Sequence, residues 1–230
     1  MVSTVVARLL DGVLEAQPLI ALIVGAVVID LLASRAGAEL PNDHPLALRL
    51  RRALPWALGG AGTVAVVLGA AVVLGHGRLV GASFDPVSVG LGLARAVGTV
   101  ARRQIPYALV PLALLGPRVD ARALVLFSGA AAAAGTLSST DSRLSTFVVF
   151  AAAVFGAVAL HATRDFVVSL AAEASVFFAG TTLFSSVIDL RLGAWSLSPL
   201  DRTQGPYAAA LATCLLGISI VVQRRNRSVF

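Results

Sequence analysis

Four polar residues of this chain sit in strongly apolar surroundings, and Glu173 is the foremost of them. It lies within the apolar run Phe166–Ile188. A charged side chain inside a membrane span costs on the order of 2.5–3.5 kcal/mol, so it usually faces a partner or a water-filled cavity. Ser169 precedes Glu173 by four residues and therefore shares its helical face. Arg102 and Arg103 are the candidate counter-charges. Together these residues predict an intramembrane polar site, although a carboxylate satisfied structurally by arginine or serine is the simpler interpretation.

The rest of the sequence offers little catalytic or metal-binding chemistry. The three histidines, His44, His76 and His161, are scattered along the chain and do not suggest a metal site. A lone cysteine, Cys214, leaves no disulfide or thiolate metal site. No acid–base constellation accompanies the polar residues. We therefore predict a protein without catalytic residues, without a cofactor and without enzymatic activity.

The composition is typical of a membrane protein. Of 230 residues, 57% are hydrophobic and only 13% are charged, against about 25% charged in a soluble domain. The pI near 11.1 comes from arginines placed in short clusters between apolar runs, which is how a topology signal and not a nucleic-acid-binding face is distributed. We predict a multi-pass protein of the cell membrane. Its expected partners are the lipid bilayer and, as an option, another membrane protein or a second copy of itself.

The apolar runs indicate six or seven spans. Six of them are long enough to cross about 30 Å of hydrocarbon: Ala16–Ser34, Leu54–Gly75, Ala121–Ser138, Leu144–Ala162, Phe166–Ile188 and Pro206–Gln223. A further segment, Pro86–Gly116, has an apolar half, Ile105–Gly116, that is too short to cross alone. Joined to Val87–Arg103 it makes a helix of about thirty residues, interrupted by Pro106 and Pro111.

The arginine distribution favours seven spans. With six spans, eleven arginines lie on one side and seven on the other. With seven, ten lie on one side and five on the other, while Arg95, Arg102 and Arg103 fall at membrane depth. Because arginine accumulates on the cytoplasmic side, this model places the N-terminus outside and the C-terminus inside. The predicted fold is an all-α helix bundle, a single transmembrane domain over residues 1–230, with no strand.

Glycine and alanine crowd the second span, "ALGGAGTVAVVLGAAVVLG", and the fourth, "FSGAAAAAGT". Small residues let helix backbones approach closely in lipid. A general bias of the chain towards alanine and glycine explains the same pattern equally well.

Several short motifs between about residue 74 and the C-terminus are similar to those of one family. "LGHG" at 74–77 is followed by "LARAV" in the third segment, and then by "IPYALVPLALL" at 105–115. "GAWSLSPL" at 193–200 precedes the last helix, and the chain ends in "RNRSVF". With seven helices in 230 residues, the chain resembles the microbial rhodopsins. The resemblance implies a bundle with the third helix at its centre and the seventh beside the first.

The resemblance also implies that retinal is not bound covalently. In that family the last helix carries an aspartate and, further on, a lysine that forms the Schiff base. Aligning the turn proline on Pro199 places the aspartate on Leu211 and the lysine on Leu215. The chain contains no lysine, and a Schiff base needs a primary amine.

The other groups of a light-driven pump are missing as well. The family's proton acceptor falls on Gly98 or Thr99 and its proton donor on Pro111. The aromatic cage of the sixth helix falls on "TTLFS" at 181–185. Because a proton relay needs titratable groups across the membrane, a light-driven pump is excluded.

Two functions remain at the level of the sequence. The first is an opsin-like membrane protein without covalent retinal, which acts as a non-catalytic binding, interaction or accessory protein. The second is a small permease whose pathway includes Glu173 with Arg102 and Arg103. Permeases are expected to contain a pair of discontinuous helices, whereas Pro106 and Pro111 break one span only. This difference favours the first function.

Overall fold

The protein is mostly helical. The computed structural model describes residues 45–115, 119–137, 143–191 and 206–227. Among these residues, four helices are long and apolar enough to cross a membrane: Leu46–Val73, Thr146–Thr163, Phe166–Phe184 and Tyr207–Arg225. Ala121–Gly135 is apolar but shorter. The predicted first span, Ala16–Ser34, and the turn at 193–200 lie outside the described residues.

The described elements follow the predicted spans. In chain order they are α1 (Leu46–Val73), β1 (Arg78–Ala82), α2 (Pro86–Gln104), the π-helical turn π1 (Ile105–Leu109), α3 (Val110–Leu115), α4 (Ala121–Leu137), α5 (Arg143–Thr163), α6 (Phe166–Phe178), the π-helical segment π2 (Ala179–Val187), β2 (Ile188–Arg191) and α7 (Pro206–Arg227). Helix α1 begins well before the predicted Leu54, because arginine is a good helix former and the run of arginines at its start does not end the helix.

Helix α1 illustrates how the bundle differs from a soluble one. Its buried residues Gly60, Thr63, Val64, Val67, Leu68 and Ala71 recur at helical spacing and form one face. The opposite face is also apolar: Leu58, Val66 and Val73 are strongly exposed. A helix that is apolar on both faces suits one side packed on protein and the other side in lipid.

Helices α5 and α6 form the centre of the described bundle. Helix α5 packs against α4, α6 and α7, and residues 151–160 are all buried. Helix α6 packs against α1, α2 and α5. The third predicted span packs against α6, π2 and α4.

The third segment is helical without a gap from Pro86 to Leu115. Asp85 caps its start by accepting hydrogen bonds from the amides of Val87 and Ser88 at 3.2 and 3.1 Å. Hydrogen bonds from the Ser88 side chain and these amides hold the pKa of the Asp85 carboxyl below its usual value. The predicted interruption takes the form of π1, which begins immediately before Pro106. Proline lacks an amide hydrogen and clashes with the carbonyl four residues earlier, and a wider π turn relieves this clash.

A short two-stranded ribbon corrects the expectation that the chain has no strand. Strands β1 and β2 pair antiparallel, with Leu79 opposite Leu190 and Gly81 opposite Asp189. The ribbon joins the end of α1 to the end of π2. The two segments lie more than a hundred residues apart, and pairing across such a distance depends on tertiary context that local propensity does not contain.

Close helix contacts occur at some of the glycines and not at others. A Cβ at Gly60 would lie 2.8 Å from the backbone oxygen of Ala172, and one at Gly129 would lie 2.6 Å from Val154 Cγ2. These two glycines therefore bring α1 onto α6 and α4 onto α5, as small residues in the second and fourth spans predict. Gly62 and Gly69 have no neighbour within 4 Å, so the compositional explanation holds there.

Candidate functional site

Glu173 occupies the interior of the bundle. It lies on α6 and is 0% exposed. Its Oε2 accepts a hydrogen bond from Gln104 Nε2 at 2.7 Å. Its Oε1 is buried and has no hydrogen-bond partner among the described residues. A buried carboxyl with one unsatisfied oxygen is costly unless a proton, a cation or a ligand completes it.

Three helices meet around this carboxyl. Gln104 Nε2 also lies 3.2 Å from the backbone oxygen of Ser169 on α6. The Ser169 hydroxyl lies within hydrogen-bonding distance of Gln104 Oε1, at 3.0 Å, and of the Gly156 carbonyl on α5, at 2.7 Å. We call Glu173, Gln104, Ser169 and Gly156 the Glu173 cluster. Since Gln104 ends α2, the cluster joins α2, α5 and α6 through polar contacts.

Gly156 makes room for this cluster. A Cβ at this position would lie 3.1 Å from both Cβ and Oε2 of Glu173, and closer still to Gln104 Nε2. A larger residue on α5 would therefore push into the hydrogen bond between Gln104 and Glu173. The glycine permits a polar group to be buried where two helices are in contact.

Arg103 lies beside the cluster. Its guanidinium carbon is 4.5 Å from the centre of the Phe177 ring, a cation–π arrangement. Its Nε donates to the Thr99 carbonyl at 3.3 Å. Its Nη1 is buried and has no hydrogen-bond partner among the described residues, and its charge interacts with that of Glu173.

The predicted site residues therefore hold different positions. Ser169 belongs to the cluster with Glu173. Arg103 lies beside the cluster, over the Phe177 ring, while the hydrogen bond to Glu173 comes from Gln104. Arg102 is half-buried one residue earlier in α2. Gln104 was not among the predicted site residues, although an uncharged polar residue next to an apolar, proline-containing run is a usable signal.

Two π-helical segments flank the cluster. Segment π1 begins immediately after Gln104, and π2 follows α6 shortly after Glu173. The sequence predicted one interrupted span, at Pro106 and Pro111, and did not predict the π geometry of π2. Thr182 in π2 is buried and lies against Gly92 of α2, where a Cβ would overlap its side chain. Such π segments inside helices are frequent at functional sites.

A second polar contact lies at the start of α6. Arg49 on α1 binds Asp165 through two nitrogens, with Nη2 2.8 Å from Oδ1 and Nε 3.0 Å from Oδ2. Asp165 also caps α6 by accepting from the Val167 amide at 2.8 Å. Burial raises the pKa of the Asp165 carboxyl, but the hydrogen bonds from Arg49 and from backbone amides outweigh this and hold the pKa below its usual value. The contact ties the first residues of α1 to those of α6, which is a structural role.

Among the described residues, more arginines lie at one end of the bundle than at the other. The ion pair of Arg49 with Asp165 places the starts of α1 and α6 at one end, and the contact of His76 with Tyr207 places the end of α1 beside the start of α7. The cavity that Leu124 and His161 share places the start of α4 beside the end of α5.

The end that holds the starts of α1, α4 and α6 carries Arg49, Arg51, Arg52, Arg122, Arg164, Arg224 and Arg225. We call it the arginine-rich end.

Comparison with known proteins adds no relative. The chain matches no family model, no curated protein and no solved structure. Within the described residues, no three histidine, cysteine, aspartate or glutamate side chains are grouped as metal ligands would be. The interpretation of the site therefore depends on its own geometry.

Proposed function

We propose that the protein is a small, non-enzymatic multi-pass permease that carries a proton, and that Glu173 is the group that binds the proton. The observation behind this proposal is the burial of Glu173, which is 0% exposed and has an oxygen without a hydrogen-bond partner in the described structure. Carboxyl groups at membrane depth are rare, and they characteristically mark ion pathways and proton relays. A proton on Oε1 would remove the charge from a group that is fully shielded from water.

The two π segments favour a permease over a static bundle. Helical segments with π geometry are frequent at functional sites. Segments π1 and π2 continue the two helices that carry Gln104 and Glu173. A change between π and α geometry in either segment would alter the helical register next to the site. Such a change would expose the Glu173 carboxyl first to one side of the membrane and then to the other.

The experiment measures proton uptake by liposomes that contain the purified protein and a trapped pH dye, driven by an inward pH gradient with sodium chloride or sodium lactate outside, and with potassium and valinomycin present to clamp the membrane potential. We expect uptake by the unmodified protein and its loss in Glu173→Gln, which keeps the shape but cannot release a proton. Asp85→Asn is the matched control, because Asp85 is an exposed carboxylate. Equal uptake by Glu173→Gln and the unmodified protein, or no uptake above empty liposomes, would show the proposal to be wrong.

We infer seven spans with the N-terminus outside and the C-terminus inside. The described segments alternate in direction, and a cytoplasmic arginine-rich end agrees with the usual charge bias. In a Cys214→Ala background, single cysteines at Arg8→Cys and Arg227→Cys are expected to react with a membrane-impermeant maleimide from opposite sides. Labelling from the same side contradicts this topology.

The second candidate is the opsin-like interaction protein that the resemblance implies. The observation in its favour is that Leu211 and Leu215, the positions aligned with the family's aspartate and lysine, are 1% and 0% exposed. They lie in the hydrophobic core, as retinal-binding positions would. This candidate predicts no proton uptake, so the liposome experiment separates it from the permease.

A further inference from the structure

The Glu173 cluster and the neighbouring Arg103 hold two unsatisfied polar atoms of opposite kind. Oε1 of Glu173 is a buried acceptor and Nη1 of Arg103 is a buried donor, and neither has a hydrogen-bond partner among the described residues. We propose that Arg103 is the binding group for a small monocarboxylate, which the protein carries together with the proton. This inference rests on the proposed function and names the solute that accompanies the proton.

The surroundings of Arg103 suit a carboxylate. The guanidinium group lies over the Phe177 ring, and its Nε is held by the Thr99 carbonyl. These contacts fix the plane of the group and leave Nη1 without a protein partner. A planar guanidinium matches the two oxygens of a carboxylate, and hydrogen bonds between charged partners are about twice as strong as neutral ones.

Charge balance links the carboxylate to the proton. Glu173 and Arg103 are the two charged groups here that have a buried polar atom without a partner among the described residues. The half-buried Arg102 also acts on Arg103, while α5 and α1 present the uncharged Gly156 and Gly60 to α6. With Glu173 ionised, its charge and that of Arg103 cancel. When a proton binds Glu173, the positive charge of Arg103 is left over, and one carboxylate restores neutrality. Because uncompensated charge is costly in such a site, proton and carboxylate bind together and a cationic solute is disfavoured.

The test is calorimetric titration of L-lactate into the purified full-length protein in lipid nanodiscs, at acidic and at alkaline pH. We expect binding that is stronger at acidic pH, and no binding of methylammonium. Arg103→Gln should weaken lactate binding by about tenfold or more, as the loss of a charge-assisted hydrogen bond predicts. Arg95→Gln, which removes an exposed arginine of the same helix, is the matched control and should bind like the unmodified protein.

Two further variants separate the role of Arg103 from simple misfolding. Glu173→Gln mimics the neutral carboxyl, so it should bind lactate with the same affinity at both pH values. Arg103→Lys keeps the charge without the planar fork and should retain weakened binding. The inference is overturned if Arg103→Gln retains lactate binding that depends on pH, or if the unmodified protein does not bind lactate at acidic pH.

The two proposals fail in distinguishable ways. If lactate binds in the expected pattern and the liposomes take up no proton, the permease is wrong while the carboxylate site stands. If Glu173-dependent proton uptake occurs and lactate does not bind, the solute is wrong while the proton pathway stands.

Discussion

Gln104 on α2 donates a hydrogen bond of 2.7 Å to Glu173 on α6, and both side chains are buried. The two residues lie 69 positions apart in the chain. Their contact holds the end of the third segment, directly before π1, against the helix that carries the buried carboxyl. A hydrogen bond to a buried charged group contributes more than a typical neutral one. The pair is therefore a main determinant of how α2 and α6 pack.

We expect Gln104→Leu to destabilise the protein by about 1–3 kcal/mol, because it leaves the Glu173 carboxylate without its donor. The measurement is the unfolding free energy in detergent. The double variant Gln104→Leu, Glu173→Leu should be less destabilised than the sum of the two single variants, since each single change removes the same contact. Strict additivity would mean that the two side chains are not coupled.

Gly156→Ala is expected to destabilise the protein by about 1–3 kcal/mol, because the added methyl group pushes into the contact between Gln104 and Glu173. Gly62→Ala provides the control. A Cβ at Gly62 meets nothing within 4 Å, and alanine is favoured over glycine in a helix by about 1 kcal/mol. Thermal unfolding should rank Gly62→Ala at or above the unmodified protein and Gly156→Ala below it. The reverse order contradicts the packing described for α5 and α6.

The ion pair of Arg49 with Asp165 predicts a defined dependence on pH. The pKa of Asp165 is lowered in the folded protein, so its contribution to stability is fully present above the unfolded value of about 3.9 and is lost as pH falls through the folded value. Asp165→Asn retains a good helix cap and removes the charge. It should lower Tm at neutral pH, and the difference from the unmodified protein should shrink below about pH 4. Arg51→Gln, which changes an exposed arginine, should show no such pattern.

Hydropathy located most of the helices because a span must be long enough to cross the hydrocarbon and must satisfy its backbone internally. Hydropathy did not predict where α1 begins. The arginines at its start lower the hydropathy, but they continue the helix because arginine is a good helix former. Proline at positions 106 and 111 identified the break in the third segment. Segment π2 carries no proline within Ala179–Val187, so proline could not signal it. Its Thr182 lies against Gly92 of α2, a contact that a single sequence does not display.

Only part of the site was predicted, because contacts between different helices are not visible in the sequence. Glu173 and Ser169 were found together because both lie on one face of one helix. The partner of Glu173 was sought among the formally charged Arg102 and Arg103, whereas the hydrogen bond comes from the neighbouring Gln104. Which of three consecutive polar residues faces α6 depends on the helical phase of α2 at its junction with π1, and that phase is set by tertiary packing.

Retinal offers the clearest test of the resemblance to the rhodopsins. The unmodified chain contains no lysine, so borohydride treatment in the presence of all-trans retinal should trap no adduct on a lysine. Leu215 is 0% exposed and lies in the hydrophobic core.

If this position matches the family's lysine, Leu215→Lys should give a trappable adduct. Cys214→Lys, on the exposed side of the same helix, should not. The pigment should be poorly tuned, since the aligned acid position is the apolar Leu211 and a protonated Schiff base would lack its counter-ion. Equal labelling of both variants would show that Leu215 does not occupy a retinal-binding position.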